Sequence, residues 1–469
     1  MQYSVVSVKK LNDTLAFRLD AEYFHPSALL YEDRINKLHG TTIKEYGCRV
    51  VSGPFGSSLK SESYLPSGIP FVRISDLKDF RVDTDELIYI SKNDHNRLLS
   101  SKLNIGDLVL SKVGNTIGVV SRVTDDIGEC NISENNIGIR FPKNISADEK
   151  VFILTFLNSN AGQSQILRSI SGNAQPKLNV SDIEFIKIPH LSADIIKNIR
   201  LIVDESTSLI LKSKQFYQTA EQILLSELGF LNWRPKHHLS FIKNFSDAKT
   251  ADRLDAEYFQ PMYDEIINIV KSYKNGFVKL GNQFRQNKKT FKMTPDKIYR
   301  YVEIGCVRIS DGGIEPLSLY GHELPANAKI KLMRDDVIVS KVRPYRGAIG
   351  IVESDDFVGS SAFTVLQAST SIKKETLMVL LRTNPYLEFS LKFNTGTSYP
   401  TITNDDILNF PIPLIPHSIQ ESIKQKIQDA NNMRNKSNTM LEIAKEGVEM
   451  AIEKNEQTAM EWINKNVKD

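Results

Sequence analysis

Cysteine is nearly absent from this chain. Cys48, Cys130 and Cys306 are few, scattered and odd in number, which excludes a disulfide framework and a cysteine-built zinc site; they read as buried thiols. No apolar run approaches the ~20 residues that a membrane-spanning helix needs. The opening Met1-Gln2-Tyr3-Ser4 lacks the basic and apolar regions of a signal peptide. The expected location is cytoplasmic, without membrane contact. Charge of one sign is lacking too. A net charge of +3 over 469 residues, with a pI near 8.4, falls short of the basic signature of a free-standing nucleic-acid binder. A protein that shares its phosphate contacts with larger partners can be this balanced, so charge alone neither supports nor excludes DNA.

Chemistry-bearing motifs are missing as well. There is no Gly-x-x-x-x-Gly-Lys-Ser/Thr phosphate loop, no Gly-x-Gly-x-x-Gly fingerprint, no His-Glu-x-x-His and no Gly-x-Ser-x-Gly elbow. ATP, dinucleotide, zinc and hydrolase readings lose their main support. Asn384-Pro385-Tyr386-Leu387 is superficially similar to the Asn-Pro-Pro-Tyr/Phe loop of adenine methyltransferases, but the second Pro is absent and no glycine-rich cofactor loop precedes it. It reads as a helix-breaking turn. The eight histidines show no ligand spacing, and His237-His238 reads as an exposed linker pair. No catalytic residue, metal ligand or resident cofactor is expected.

What is present is a duplication. Arg18-Leu19-Asp20-Ala21-Glu22-Tyr23-Phe24-His25-Pro26 returns as Arg253-Leu254-Asp255-Ala256-Glu257-Tyr258-Phe259-Gln260-Pro261. Asp107-Leu108-Val109-Leu110-Ser111-Lys112-Val113 answers Asp336-Val337-Ile338-Val339-Ser340-Lys341-Val342. Gly172-Asn173-Ala174-Gln175-Pro176, with Asp182-Ile183 and Pro189, answers Gly396-Thr397-Ser398-Tyr399-Pro400, with Asp406-Ile407 and Pro413. The offset between partners shrinks from one landmark to the next, as expected where loops vary and the scaffold does not. At 41% hydrophobic, the chain is long enough for two to four units with sizeable cores.

Each copy passes from the Arg-Leu-Asp-Ala-Glu-Tyr-Phe block into β-branched runs punctuated by Gly, Asn and Pro, such as Ile69–Ile74, Ile137–Arg140, Tyr299–Ile304 and Gly347–Val352. These read as short strands. Helical stretches follow around Val151–Leu157 and Lys374–Leu381. Two further segments are different. From Ser192 to Leu228 there is no Pro or Gly, and Ile195, Ile199, Ile202, Leu209, Phe216, Ala220, Ile223 and Leu228 recur near the helical period. From Ile419 to Ile463 the stripe runs through Ile423, Ile427, Ala430, Met433, Met440, Ala444, Val448, Ala451 and Met460. Two long amphipathic helices are predicted, and the first, from Ser192 to Leu228, would be about 55 Å long at ~1.5 Å per residue. Pro189 and Pro416 precede them and Gly229 caps the first. Neither can bury its stripe alone, so the expectation is that they pack antiparallel, with the domains at opposite ends about a pseudo-twofold axis.

The order of these elements resembles the specificity (S) subunit of type I restriction-modification systems, a family of phage defence, across essentially the whole chain. The resemblance rests on two β-rich domains opening near Arg-Leu-Asp-Ala-Glu-Tyr, a Gly-Asp-Leu-Val-Leu-Ser-type strand, and a Ser-Gly/Thr-Gly loop before Asp-Ile-x-x-x-x-Ile-Pro. A long helix follows each domain. The family's Pro-Leu-Pro-Pro-x-x-Glu-Gln helix entry is eroded here, to Ile188-Pro189-His190-Leu191 and Ile412-Pro413-Leu414-Ile415-Pro416-His417-Ser418-Ile419-Gln420-Glu421. The resemblance implies an α+β fold with two β-rich target recognition domains, residues 1–190 and 236–415. Spacer helices, residues 191–235 and 416–469, would form a coiled coil between them. It also implies a non-catalytic subunit that reads split double-stranded DNA. Two methyltransferase (M) subunits and restriction (R) motor subunits would assemble around it, and S-adenosylmethionine, ATP and magnesium would belong to those partners.

Reading bases requires Arg or Lys toward guanine and Asn or Gln toward adenine, delivered from a rigid support. The candidates in the first domain are Lys60, Arg73, Lys112, Asn115, Asn173, Gln175 and Lys177. In the second they are Lys288, Lys289, Lys341, Arg343, Tyr345, Arg346, Ser398 and Tyr399, with Lys341–Arg346 the strongest because it combines cations with an aromatic at a strand exit. Gly172 and Gly396 have a competing role as turn formers. The Arg-Leu-Asp-Ala-Glu-Tyr-Phe blocks are identical in both copies and read as fold or docking elements, since specificity should differ between halves. Two other classes stay open: a stand-alone divergent nuclease or methyltransferase, tested by incubating the purified chain with DNA and magnesium, and a protein-only coiled-coil scaffold, tested by a DNA mobility shift.

Overall fold

The computed structural model describes residues 4–8, 11, 18–54, 59–171, 176–367, 369, 371–396 and 399–467. The fold is mixed α+β and divides into two compact units. One comprises residues 1–209 and 435–469, the other 210–434. Each holds a β-rich lobe with one half of each of two long helices, α1 (Ala193–Leu228) and α2 (His417–Glu453).

The lobe of the first unit contains a four-stranded sheet ordered Ile88–Ile90, Ile69–Val72, Cys130–Ile132, Lys102–Leu103. Its central pair is parallel and its flanking pairs antiparallel. The lobe of the second unit contains Leu317–Tyr320, Ile298–Val302, Phe357–Ser360 and Ala328–Lys331 in the same order and sense. A second sheet in each is centred on the repeated Asp-led segment. Leu108–Ser111 lies between Asn136–Arg140 and Val120–Arg122; Val337–Ser340 lies between Phe363–Leu366 and Ile349–Ile351. All four residues of both central strands are buried, which is why they read as continuous apolar runs without alternation.

Each lobe is closed by a short two-stranded seam, Thr41–Thr42 with Lys187–Ile188 in one and Phe277–Lys279 with Pro411–Pro413 in the other. The repeated aspartates anchor their strands. Asp107 accepts from the amides of Asn104 at 2.8 Å and Phe141 at 3.0 Å, and Asp336 from Met333 at 3.0 Å and the Asn287 side chain at 2.7 Å. Burial pushes both carboxyls above their ordinary value.

The identical block at the head of each copy serves the fold in the same way twice. Arg18 grips Asp20 bidentately at 2.5 and 2.9 Å and donates to the Ile170 carbonyl at 3.3 Å. Arg253 grips Asp255 at 2.7 and 3.0 Å and donates to the Asn394 carbonyl at 3.0 Å. Both guanidinium groups cover the tyrosine of their own block, at 5.1 Å over Tyr23 and 4.8 Å over Tyr258. Since Ile170 and Asn394 lead into the two glycine loops, each block ties down the approach to its loop.

The long helices pair within each unit. In the first, Ser206 and Ser437 exchange hydroxyl-to-carbonyl bonds of 3.0 and 2.9 Å, and Ser192, just before α1, binds Glu456, just beyond α2; rising numbers along one helix meet falling numbers along the other, so the pair runs antiparallel. In the second, Ser213 donates to the Ala430 carbonyl at 2.7 Å while Lys426 covers the Phe216 ring, the same sense. The stripes at Ile195, Ile199 and Ile202 and at Ile423, Ile427 and Ala430 are buried as predicted, and Gly229, at φ 76°, caps α1. One expectation is corrected. The second helix does not continue to Ile463: it ends at Glu453, and a separate helix, Glu456–Asn466, begins behind Asn455. Asn455 is extended and its side chain accepts the Thr458 amide at 2.8 Å, an N-cap geometry incompatible with a continuing helix.

Candidate nucleic-acid interface

In each lobe the buried central strand delivers its chain to the surface at a lysine. Lys112 is fixed through its backbone, whose amide donates to Asn135 at 2.9 Å and whose carbonyl accepts from Leu178 at 3.0 Å. Lys341 is fixed identically, by Ala362 at 2.8 Å and Ile402 at 2.9 Å. The next residues pair with the returning glycine loop: Val113 bridges Lys177 while Ser171 closes on Lys177, and Val342 bridges Thr401 while Thr395 closes on Thr401. The topology therefore brings Lys112, Asn115 and Lys177 to one rim of the first lobe, with Asn115 and Lys177 exposed. Asn173 and Gln175, between Ser171 and Lys177 in sequence, lie outside the described residues.

The corresponding rim of the second lobe holds Lys341, Arg343, Tyr345, Arg346 and Tyr399; Ser398 lies outside the described residues. Arg343 takes the left-handed region at φ 46°, uncommon for a residue with a Cβ. Its amide donates to the Pro400 carbonyl at 2.8 Å, and its guanidinium lies 4.8 Å over the Tyr399 ring. Pro344 is buried and opens a 3-10 turn over Pro344–Arg346, closed by Gly347 at φ 76°. The turn leaves Arg346 exposed, Tyr345 half-buried and Tyr399 67% exposed. Lys341 is half-buried, and desolvation lowers its pKa. A stacked, oriented guanidinium suits bidentate hydrogen bonding to guanine O6 and N7, or to phosphate.

The remaining candidates come from other segments, and Arg73 shares a pocket with Asn135, whose carbonyl holds the Lys112 amide. Lys288 and Lys289 are exposed beside Asn287, whose side chain binds Asp336 at the start of the central strand, the end opposite Lys341. Lys60 is exposed at the head of a 3-10 turn, Ser61–Ser63. Arg73 lines a surface pocket with Tyr64, Phe71, Glu134 and Asn135. Its guanidinium is already engaged, by Asp76 at 3.1 and 2.9 Å and by the Glu86 carbonyl at 2.7 Å.

Sequence reasoning passed over Arg382, which sits behind the second rim at the end of the helix Lys374–Arg382. It is buried, and it donates to the carbonyls of Gly347 at 2.6 Å and Ile349 at 3.1 Å and to the Tyr217 hydroxyl of α1 at 2.7 Å. A single cation ending an apolar helix gives no signal that separates a buried position from an exposed one. Cys48, Cys130 and Cys306 are buried and free. Among the described residues, no group of His, Cys, Asp or Glu could hold a metal ion, and no helix is long and apolar enough to cross a membrane.

No family model and no curated protein matches the chain. Among solved structures, it is similar to the S subunit of a type I restriction-modification system from M. genitalium, at 13% identity over 90% of this chain and 95% of that one, with a TM-score of 0.36. It is also similar to the HsdS subunit from Thermoanaerobacter tengcongensis, at 14% identity over 87% and 97% of the two chains, TM-score 0.26. A third is a chain from a study of complex assembly and conformational transition of the type I R-M system, at 14% identity over 90% and 97%, TM-score 0.25.

Proposed function

We propose that this chain is the DNA-recognition subunit of a type I restriction-modification complex. It reads a split site, one half with each lobe, and directs partner subunits that carry the chemistry. The observation that carries the reading is one scaffold built twice with different polar tips: Lys112, Asn115 and Lys177 at the rim of one lobe, and Lys341, Arg343, Arg346 and Tyr399 at the equivalent rim of the other. A duplicated frame with diverged donors is what two different half-sites demand, because the frame positions and the donors specify.

In this reading α1 and α2 set the gap. Half-sites on one face of B-DNA lie ~34 Å or more apart, a distance that a helix pair of the length given by α1 and α2 can span. Two methyltransferase subunits and restriction motor subunits assemble around the chain; S-adenosylmethionine, ATP and magnesium act on those partners. Genome-wide mapping of methylated positions in cells with and without this chain tests the proposal, and a bipartite motif that disappears with the chain is the expected result. DNA cleavage by the purified chain with magnesium alone would overturn the non-catalytic part, and a mobility shift absent with and without methyltransferase subunits would overturn the recognition part.

A further inference from the structure

The second unit holds a buried set of charges that DNA contact does not require. Arg382 spends its guanidinium on carbonyls of the recognition turn and on α1. It binds Gly347, which closes the Pro344–Arg346 turn, Ile349 on the following strand, Ile309, and Tyr217 of α1. Arg434 of α2 is also buried and forms an ion pair with Asp311. The same carboxylate takes the Arg308 guanidinium at 3.1 Å and the Gly313 amide at 2.8 Å. Burial alone would raise the Asp311 carboxyl, but Arg434 and Arg308 outweigh it and hold the group below its ordinary value. The Asp311 loop backs directly onto the strand leaving the recognition turn, since a Cβ on Gly312 would meet the Ile349 carbonyl oxygen at 2.4 Å. One arginine thus ties this corner of the lobe to α1, and another ties it to α2.

Among the described residues of the first unit, no arginine stands at the place of Arg382, and the corresponding loop offers Asp79 to Lys445 of α2 without an arginine. The helix Ala147–Asn158 ends in a neutral Asn158, whose amide reaches the carbonyls of Val120 and Leu154, both at 3.0 Å and both within the lobe. Gln163 reaches the Gly118 carbonyl at 2.9 Å. In that unit the long helices meet the lobe through more exposed pairs, such as Arg200 with Asp148 and Arg34 with Glu453. Buried paired charges resist displacement, because moving either partner strands the other without solvent. Exposed pairs exchange with water at little cost.

We infer that Arg382 and Arg434 are positioning residues for reading the second half-site: they fix the Arg343–Arg346 turn on its segment of the helix pair, so that this half is read at one gap. The inference rests on the proposed recognition function. Its test uses the full chain assembled with its methyltransferase subunits, and duplexes carrying the mapped half-sites with gaps differing by single base pairs. Wild type is compared with Tyr217→Phe and Arg382→Lys, which keep bulk or charge, and with Arg434→Met. The expected result is that the preference for the native gap over its neighbours falls about tenfold in Tyr217→Phe, the scale of one hydrogen bond to a charged group, while protection of the first half-site is unchanged. Affinity lost equally at all gaps would assign the network to stability alone and overturn the inference, as would an unaltered gap preference in all three variants. A wild-type complex without gap preference would instead bring down the recognition reading itself.

Discussion

Single residues divide here by what burial does to their charge. Desolvation pushes the Cys48 and Cys130 thiols up to about 12, so thiolate is scarce at neutral pH. Alkylation of the native protein at pH 8 is expected to label neither residue until denaturant is added, and a rapidly labelled thiol in native buffer would contradict their placement. The two block aspartates behave in the opposite way to the strand aspartates. Hydrogen bonding to Arg18 and Arg253 lowers the pKa of Asp20 and Asp255; the stability they contribute is present above the unfolded-state value and is lost as pH falls through the folded one. Burial raises Asp107 and Asp336, so the folded state binds their protons more tightly and they oppose folding increasingly as pH rises through that window. Asp255→Asn is therefore expected to lower the denaturant midpoint at pH 7, with the gap to wild type narrowing on acidification; a constant gap would contradict this account. At the rim, Arg343→Ala is expected to weaken binding of one half-site by about 1–3 kcal/mol in a mobility shift. Arg343→Lys should rescue little, because the flat stack on Tyr399 needs a guanidinium.

At the scale of elements, the long helices owe their pairing to apolar stripes interrupted by small buried hydroxyls. Ser206 and Ser437 are almost fully buried and each donates to the other's backbone carbonyl. Ser437→Ala is expected to cost about 0.5–1.5 kcal/mol by chemical denaturation, with the Ser206→Ala double variant non-additive. Inserting a whole turn into both helices is expected to lengthen the gap of the methylated motif, and an unchanged gap would count against a spacer role. Much of this level was legible from the sequence. The stripes of the long helices announce themselves by period, and the strands by β-branched runs between turn residues. The break at Asn455 was missed although the period signals it: Met460 lies about half a turn out of phase with Ala451 at ~3.6 residues per turn. The parallel pairing of Phe71 with Asn131 was hidden because periodicity says which face of a strand is buried and nothing of which strand lies beside it. Arg382 was hidden because its partners, the Tyr217 hydroxyl apart, are backbone carbonyls, which carry no side-chain signature.

For the whole molecule, the two-stranded seams carry a consequence for its modularity. Chain entering and leaving each lobe runs side by side, Thr42 opposite Lys187 and Lys279 opposite Pro411, so the cut ends of an excised lobe would sit about 5 Å apart. Each lobe is in effect a cassette that could be cut out at its seam. Grafting the first lobe at the second seam would give a chain with two identical readers. If the seams are related by a twofold axis, its methylated target becomes a palindrome interrupted by the native gap; a head-to-tail repeat would mean the seams face the same way along the duplex.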